Sequence, residues 1–221
     1  FNGDGIPDMV VGRGAAPFGI DVMLGTGSGA FTAATGSPLS RAAASYAAAA
    51  GDFNQDGKQD FVISTGSGKV SIYLGNGAGA FTLSAASPIT FGGAGATGRL
   101  LVADLNNDTK LDVVGIIPST AQIAVLLGDG TGAFGAAATY STGASTVPSD
   151  IAVLQASADA FLDVAVSNTG TNNVALFVNK GDGTFNAAAN QAAGFATYGI
   201  AAGDTNKDAK DDAVVTDGVK N

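Results

Sequence analysis

The chain has 221 residues, of which 46% are apolar and only 13% are charged, so it can bury the core of one large domain or two small ones. Its 19 acidic residues are all aspartate and outnumber the 10 basic ones, which argues against nucleic acid as a partner. Cysteine and histidine are absent, which excludes disulfides, thiolate zinc sites and the commonest general base. No apolar run reaches the roughly 18 residues of a membrane-spanning helix, so membrane insertion is not expected.

Taken in chain order, the sequence predicts short strands separated by tight turns. The second unit shows the pattern most clearly, with predicted strands at Tyr46–Ala50, Phe61–Ser64, Val70–Leu74 and Phe81–Leu83. Ala42–Ala50 is rich in alanine, but it recurs at the repeat period as a strand, as Thr197–Ala202 does. Four short strands joined by Gly and Asn turns are typical of a propeller blade.

A glycine-rich motif repeats along the chain. Leu-Gly-x-Gly-x-Gly-Ala-Phe occurs at Leu24–Phe31, Leu74–Phe81 and Leu127–Phe134, with a relaxed copy at Val178–Phe185. The closing phenylalanines are 50, 53 and 51 residues apart. A fixed period of this length predicts a repeat architecture in which each unit is one supersecondary element.

A second repeated feature is an aspartate-rich loop followed by apolar residues. The five copies are Asn2–Asp8, Asp52–Asp60, Asp104–Asp112, Gln155–Asp163 and Asp204–Asp212. Their third positions are 52, 52, 51 and 49 residues apart. Two independent features with one period make chance similarity very improbable.

The residue types in these loops are those of a calcium site. In Asp52–Asp60, side-chain oxygens fall at positions 1, 3, 5 and 9, and a backbone carbonyl is available at position 7. Alternate residues of a tightly wound loop point to one centre, and Ca²⁺ takes six to eight such oxygens. Gly57 at position 6 permits the positive φ that the reversal needs.

The predicted metal ligands follow from this pattern. The side-chain ligands are Asp52, Asn54, Asp56 and Asp60; Asp104, Asn106, Asp108 and Asp112; Asp204, Asn206, Asp208 and Asp212; and Asn2, Asp4 and Asp8. The backbone carbonyls of Lys58, Lys110, Lys210 and Ile6 would complete the sites.

The copies are unequal. Gln155, Ser157, Asp159 and Asp163 have lost one carboxylate, so this fourth loop is predicted to be the weakest site. Thr109 and Ala209 occupy the position where glycine is preferred, which should add backbone strain.

Other interpretations of the loops were weighed. Asp, Asn and Gly also form hairpin turns without any metal, but three loops with one ligand pattern favour metal binding. An EF-hand would need flanking helices and an acidic residue at position 12, where this chain has Ile63. Mg²⁺ is less suitable because it prefers a smaller octahedral site that retains water.

The repeats divide a single domain near residues 1–45, 46–97, 98–148 and 149–196, with a partial unit at 197–221. The first unit begins inside a loop, and the last ends after the strand that follows another loop. Unpaired strand edges invite another chain. We therefore expect either head-to-tail self-association or a longer parent chain.

These residues resemble the FG-GAP repeat family, also called VCBS repeats, of integrin α-subunit propellers and many secreted bacterial proteins. The resemblance rests on the loop Asp52–Asp60 and on the endings at Phe81, Phe134 and Phe185. It implies an all-β propeller of four-stranded antiparallel blades, about four blades and a partial one. It also implies Ca²⁺ in the loops, a secreted or cell-surface location, and a bacterial source.

Three functional classes remain open. The first is a calcium-binding adhesion or protein-interaction module, the second a lectin that binds glycans, and the third a self-assembling extracellular structural protein. A lectin would use aromatic rings against sugar faces, and the chain has no Trp and only four Tyr. No enzyme is expected, because His, Cys and Glu are missing and most aspartates lie in the loops.

Overall fold

The computed structural model describes residues 1–93, 95, 97–208 and 210–218, and within them the strands form five antiparallel sheets in chain order. The first comprises β1 (Met9–Gly12), β2 (Gly19–Gly25), β3 (Phe31–Ala33) and β4 (Leu39–Ser40), and the second β5 (Ser45–Gly51), β6 (Asp60–Thr65), β7 (Lys69–Gly75), β8 (Phe81–Leu83) and β9 (Ile89–Thr90). The third comprises β10 (Leu100–Ala103), β11 (Asp112–Ile117), β12 (Gln122–Leu126) and β13 (Ala138–Ser141), and the fourth β14 (Pro148–Leu154), β15 (Asp163–Asn168), β16 (Asn173–Phe177) and β17 (Ala189–Ala192). The fifth comprises β18 (Thr197–Gly203) and β19 (Asp212–Asp217).

Each complete sheet follows one plan. Consecutive strands pair as neighbours, and the outermost strand of the second sheet is split into β8 and β9, which both pair with β7. In the described part of the chain the helical content is the short 3-10 helix Pro118–Thr120, and no helix is long and apolar enough to cross a bilayer. The predicted all-β class with four-stranded antiparallel blades is therefore confirmed.

The core lies between the sheets because the second strand of each blade is covered on both faces. Every residue of β6, β11 and β15 is buried, which explains why these strands are nearly continuous apolar runs. Side chains alternate between the two faces of a strand. Phe61 and Ile63 consequently pack toward the first sheet, while Val62 packs toward the third.

This alternation repeats in the fourth sheet, where Val164 and Val166 pack toward the third sheet and Ala165 toward the fifth. Four hydrophobic clusters result, and each joins one sheet to the next along the chain. Sheets stacked face to face in sequence order form the radial arrangement of a β-propeller.

The two ends of the run expose the faces that the inner sheets bury. Met9, Val11 and Phe31 are 36%, 44% and 41% exposed, although they match Phe61, Ile63 and Phe81 of the second sheet in the repeat. Val214 of β19 is likewise exposed. Head-to-tail association remains a prediction.

Candidate metal sites in the aspartate loops

The second to fifth aspartate loops connect the first and second strands of successive sheets, and the first loop precedes β1. The second and third loops have left-handed residues at position 6, as the sequence predicts, and also at position 4. In the second loop these are Gln55 (φ 57°) and Gly57 (φ 81°), and in the third Asn107 (φ 56°) and Thr109 (φ 69°). Thr109 therefore adopts the strained conformation expected of a non-glycine residue here. Ala209, the corresponding residue of the fifth loop, lies outside the described residues.

The oxygens of the first and third positions converge in the second loop. The backbone amide of Asp56 donates to Asp52 Oδ1 and to Asn54 Oδ1, each at 3.2 Å. The second carboxylate oxygen of Asp52 accepts the amide of Gly57 at 2.8 Å. Two side-chain oxygens that share one donor must lie close together, as the ligands of one cation do.

The third loop has the same geometry. The amide of Asp108 donates to Asp104 Oδ1 and Asn106 Oδ1 at 3.2 Å each, and the amide of Thr109 donates to Asp104 Oδ2 at 2.8 Å. Equal distances in two loops separated by one repeat indicate that the residue pattern, rather than the neighbouring structure, sets this arrangement.

A lysine contacts the carboxylate at the fifth position of both loops. Lys58 Nζ lies 3.2 Å from Asp56 Oδ2, and Lys110 Nζ lies 3.2 Å from Asp108 Oδ2. A hydrogen bond from the Lys110 backbone amide lowers the pKa of Asp108, and the Lys110 side chain lowers it further. The sequence predicted only that the backbone carbonyls of these lysines would bind the metal. The ion pairs formed by their side chains were not predicted.

The aspartate at the ninth position points into the protein. Asp60 is fully buried, and its two oxygens accept the amides of Phe53 at 2.9 Å and Gly75 at 2.8 Å. Asp112 similarly accepts the amides of Leu105 at 2.8 Å and Gly128 at 2.9 Å. This residue therefore ties the loop to the end of the third strand.

Burial raises the pKa of Asp112 to about 6, and the nearby Asp108 and Asp104 charges act in the same direction. Burial likewise raises the pKa of Asp60. An additional positive charge in either loop would favour the ionised form of its ninth carboxylate.

Carboxylate oxygens alone do not make a site in these loops, but together with amide and backbone oxygens they suit a hard cation. No three carboxylates in the described part of the chain are grouped so that they alone could hold a metal ion. The ninth aspartate is engaged by backbone amides, although each carboxylate oxygen retains a lone pair. Asp52, Asn54 and Asp56 would hold a cation in the second loop, with further oxygens from the backbone.

The fifth loop keeps this arrangement at an exposed end of the chain. The amide of Asp208 donates to Asp204 Oδ1 at 3.1 Å and to Asn206 Oδ1 at 2.9 Å. Asp212 accepts the amide of Thr205 at 3.0 Å, as Asp60 accepts that of Phe53.

The first loop contains the later positions of the same pattern. The amide of Asp4 donates to Asn2 Oδ1 at 3.3 Å, and the amide of Ile6 donates to Asp4 Oδ1 at 2.8 Å. Asp8 accepts the amino group of Phe1 at 2.6 Å and the amide of Gly25 at 2.8 Å.

The fourth loop is built differently. Neither Ala158 nor Ala160, both within the described ranges, is among the residues with positive φ. Gln155 Nε2 donates to the Asp159 carbonyl at 2.6 Å, and Ser157 Oγ contacts carboxylate oxygens of Asp159 and Asp163 at 2.9 Å. At the first position Gln155 thus donates to the loop, whereas Asp52 and Asp104 accept loop amides.

Neighbouring loops are also joined, which the sequence did not reveal. Gln55 Nε2 donates to the Thr109 carbonyl at 3.1 Å, and Asp211 accepts the amide of Gln155 at 2.8 Å. Asn179 Nδ2 donates to the Leu105 carbonyl at 2.7 Å from the following blade. The second to fifth loops are consequently connected by hydrogen bonds at the same end of the sheets.

The fold and its loops together define a repeat-built β-propeller protein with acidic loops between the first two strands of its blades. The profile of the FG-GAP-like repeat matches residues 1–63, 52–115 and 156–215. The chain therefore belongs to the FG-GAP-like repeat family, as the loop and Phe motifs indicated. No curated protein sequence matches the chain significantly.

Solved structures with the same fold include a lectin of Agrocybe aegerita that recognises non-reducing terminal N-acetylglucosamine. It is 18% identical, with a TM-score of 0.58, and the match covers 85% of this chain and 50% of the lectin. The chain thus spans half the length of the lectin. The pore of the Photorhabdus luminescens Tc holotoxin is 20% identical with a TM-score of 0.43, over 86% of this chain and 9% of the toxin chain.

Proposed function

We propose that the chain is a non-enzymatic, calcium-binding propeller module that serves adhesion or protein interaction at a bacterial cell surface or in the secreted state. The observation that carries the calcium proposal is the convergence of Asp52 and Asn54 oxygens on one amide, repeated at Asp104 and Asn106. Carboxylate, amide and carbonyl oxygens in a wound loop are the donors that Ca²⁺ prefers.

The remaining parts of the proposal rest on composition and family. The sequence contains no His, Cys or Glu, and many of its aspartates already accept loop or strand amides. Extracellular calcium modules bind with Kd values of about 10⁻⁴–10⁻³ M, which matches a loop with few net charges. Repeated blades present broad, weakly charged surfaces, which suit recognition better than chemistry.

Calcium binding is tested by titration calorimetry and by thermal unfolding with and without a chelator. A cation that binds only the folded state raises its stability by mass action, so excess chelator should lower the Tm. Asp56→Asn keeps an acceptor for the Lys58 amide, which lies 3.0 Å from Asp56 Oδ1, but removes one charge. This variant should lose part of the calcium-dependent rise in Tm.

The matched control is Asp159→Asn, the same change at the same position of the fourth loop. It should leave the calcium response unchanged because Gln155 and Ser157 already engage that residue. A chelator-insensitive Tm for the unmodified chain, with no heat of calcium binding, would show that the loops are only turns.

A carbohydrate-binding propeller is the second candidate. Tyr46 and Tyr198, at equivalent positions of β5 and β18, are 57% and 53% exposed, and exposed aromatic rings suit sugar faces. A glycan array distinguishes the two candidates, since a protein-interaction module should retain no glycan.

A further inference from the structure

A cleft lies between the second and third sheets at the end of the strands opposite the aspartate loops. Its volume is about 480 Å³, and its lining includes Tyr46, Arg99, Pro118 and Ser119. Tyr46 stands near the start of β5, whereas the aspartate loop follows the other end of that strand. The cleft is thus separate from the candidate metal sites.

The Tyr46 ring is supported on one side and open on the other. A Cβ atom placed on Gly66 would lie 3.1 Å from Tyr46 Cε2, so the ring packs closely against the backbone of this glycine. The tyrosine as a whole is nevertheless 57% exposed. A flat apolar surface is consequently presented to a ligand at little cost in side-chain entropy.

Arg99 also lines this cleft and can supply hydrogen-bond donors. Its Nη1 lies 3.0 and 3.2 Å from the two carboxylate oxygens of Asp150. Asp150 is itself held, because it accepts the amides of Ile151 at 2.9 Å and Ile200 at 3.1 Å. The guanidinium is therefore positioned through one nitrogen, and Nε and Nη2 have no hydrogen bond to any described residue.

The tyrosine ring and the paired guanidinium together limit the kind of ligand that the cleft can bind. Asp150 balances the charge of Arg99, which disfavours an anion, and the open cleft cannot enclose a fully apolar molecule. A ligand that fits must have one apolar face for the ring and acceptor oxygens for guanidinium N–H groups. We propose that the cleft between Tyr46 and Arg99 binds a neutral pyranose sugar.

This inference deepens the second candidate function and does not depend on calcium. Tyr198 offers an internal comparison, because it occupies the equivalent position of β18 and packs still more closely against Gly218 than Tyr46 does against Gly66. Tyr198 is not among the residues that line the cleft with Arg99, so it should contribute little to binding there.

The test is saturation-transfer difference NMR with the methyl glycosides of glucose, galactose, mannose and N-acetylglucosamine at millimolar concentration. At least one glycoside should receive saturation. Tyr46→Ala should weaken binding about tenfold, the effect of removing an aromatic anchor, and Tyr198→Ala should leave it unchanged. Arg99→Lys keeps the charge opposite Asp150 but removes donors, and it should weaken binding severalfold without lowering the Tm.

Each alternative result overturns a defined part of the proposal. No saturation of any of the four glycosides would reject both the site and the carbohydrate function. Saturation that persists in Tyr46→Ala, or that is lost equally in Tyr198→Ala, would reject this site while leaving carbohydrate binding elsewhere on the propeller. Neither result bears on calcium binding, which is measured by the chelator response.

Discussion

The third and fourth aspartate loops are neighbours in the fold and share the same residue at three of their nine positions, the fifth, eighth and ninth. Both keep aspartate at the fifth and ninth positions, but Asp104 and Asn106 are replaced by Gln155 and Ser157 in the fourth loop. The third loop has left-handed residues at positions 4 and 6, and the fourth has positive φ at neither. The fourth loop, which lacks both the first-position aspartate and the third-position asparagine, therefore does not wind as the third loop does.

The ninth aspartate is common to both loops for a different reason. Asp163 accepts the amides of Ser157 at 2.8 Å and Asn179 at 2.9 Å, as Asp112 accepts those of Leu105 and Gly128. The ninth position thus maintains the blade in every repeat, whether or not the loop can hold a cation.

The largest expected effect is the loss of unfolding free energy when the ninth aspartate is replaced, and it should be similar in the third and fourth loops. Asp112→Ala leaves two buried amides without acceptors, which should cost about 2–4 kcal/mol of unfolding free energy. Asp163→Ala should cost a similar amount, although its loop is not expected to bind calcium. Urea unfolding in excess chelator measures both values. An Asp163→Ala variant with unchanged unfolding free energy would show that the ninth aspartate does not stabilise the blade.

The next largest effect should be a new calcium site in the fourth loop. Changing the fourth loop by Gln155→Asp, Ser157→Asn and Ala160→Gly restores the first and third ligands and permits the left-handed backbone. Calorimetry should then count one more bound calcium ion per chain. The control carries Ala160→Gly alone and should keep the original stoichiometry. An unchanged count in the triple variant would mean that the third loop depends on more than its ligand residues.

A smaller effect is a pH dependence that belongs to the third loop. The pKa of Asp112 is raised from 3.8 to about 6 in the folded protein, mainly by burial. The folded state therefore holds this proton more tightly than the unfolded state. In chelator, its contribution to stability should be full below about pH 4 and lost as the pH rises through 6.

This pH effect is measured as the difference in unfolding free energy between the unmodified chain and Asp112→Asn, which does not titrate. Between pH 4 and 7, the unfolding free energy of the unmodified chain should fall relative to that of Asp112→Asn. A difference that is constant over this range would contradict the raised pKa.

The smallest effect concerns the lysine that contacts the fifth carboxylate. Lys110 lies 3.2 Å from Asp108 Oδ2, so a cation that binds Asp108 would meet a like charge beside it. Lys110→Gln should raise the calcium affinity about twofold to fivefold in calorimetry. The fourth loop has Phe161 at this position, and Phe161→Gln should change nothing. A weaker affinity in Lys110→Gln would mean that the lysine side chain supports the bound loop.

Much of the architecture could be read from residue types and spacing. Two sequence motifs that repeat with the same period predicted the blades. The strand predicted at Phe81–Leu83 coincides with β8. The alternation of Phe61, Val62 and Ile63 between opposite faces follows from strand geometry alone. The prediction that the fourth loop is the weakest site also came from its sequence, because Gln155 replaces a carboxylate with an amide that brings hydrogen-bond donors.

Other features were decided only by tertiary structure, because they join residues that are far apart in the chain. The same letter, Asp, denotes an exposed candidate ligand at Asp56 and a buried acceptor at Asp60, and burial by neighbouring sheets makes that difference. The link from Gln55 to Thr109 spans 54 residues, and the Tyr46 cleft needs Arg99 from the next blade. A repeat determines how each blade folds, whereas the stacking of successive blades determines which side chains share one environment.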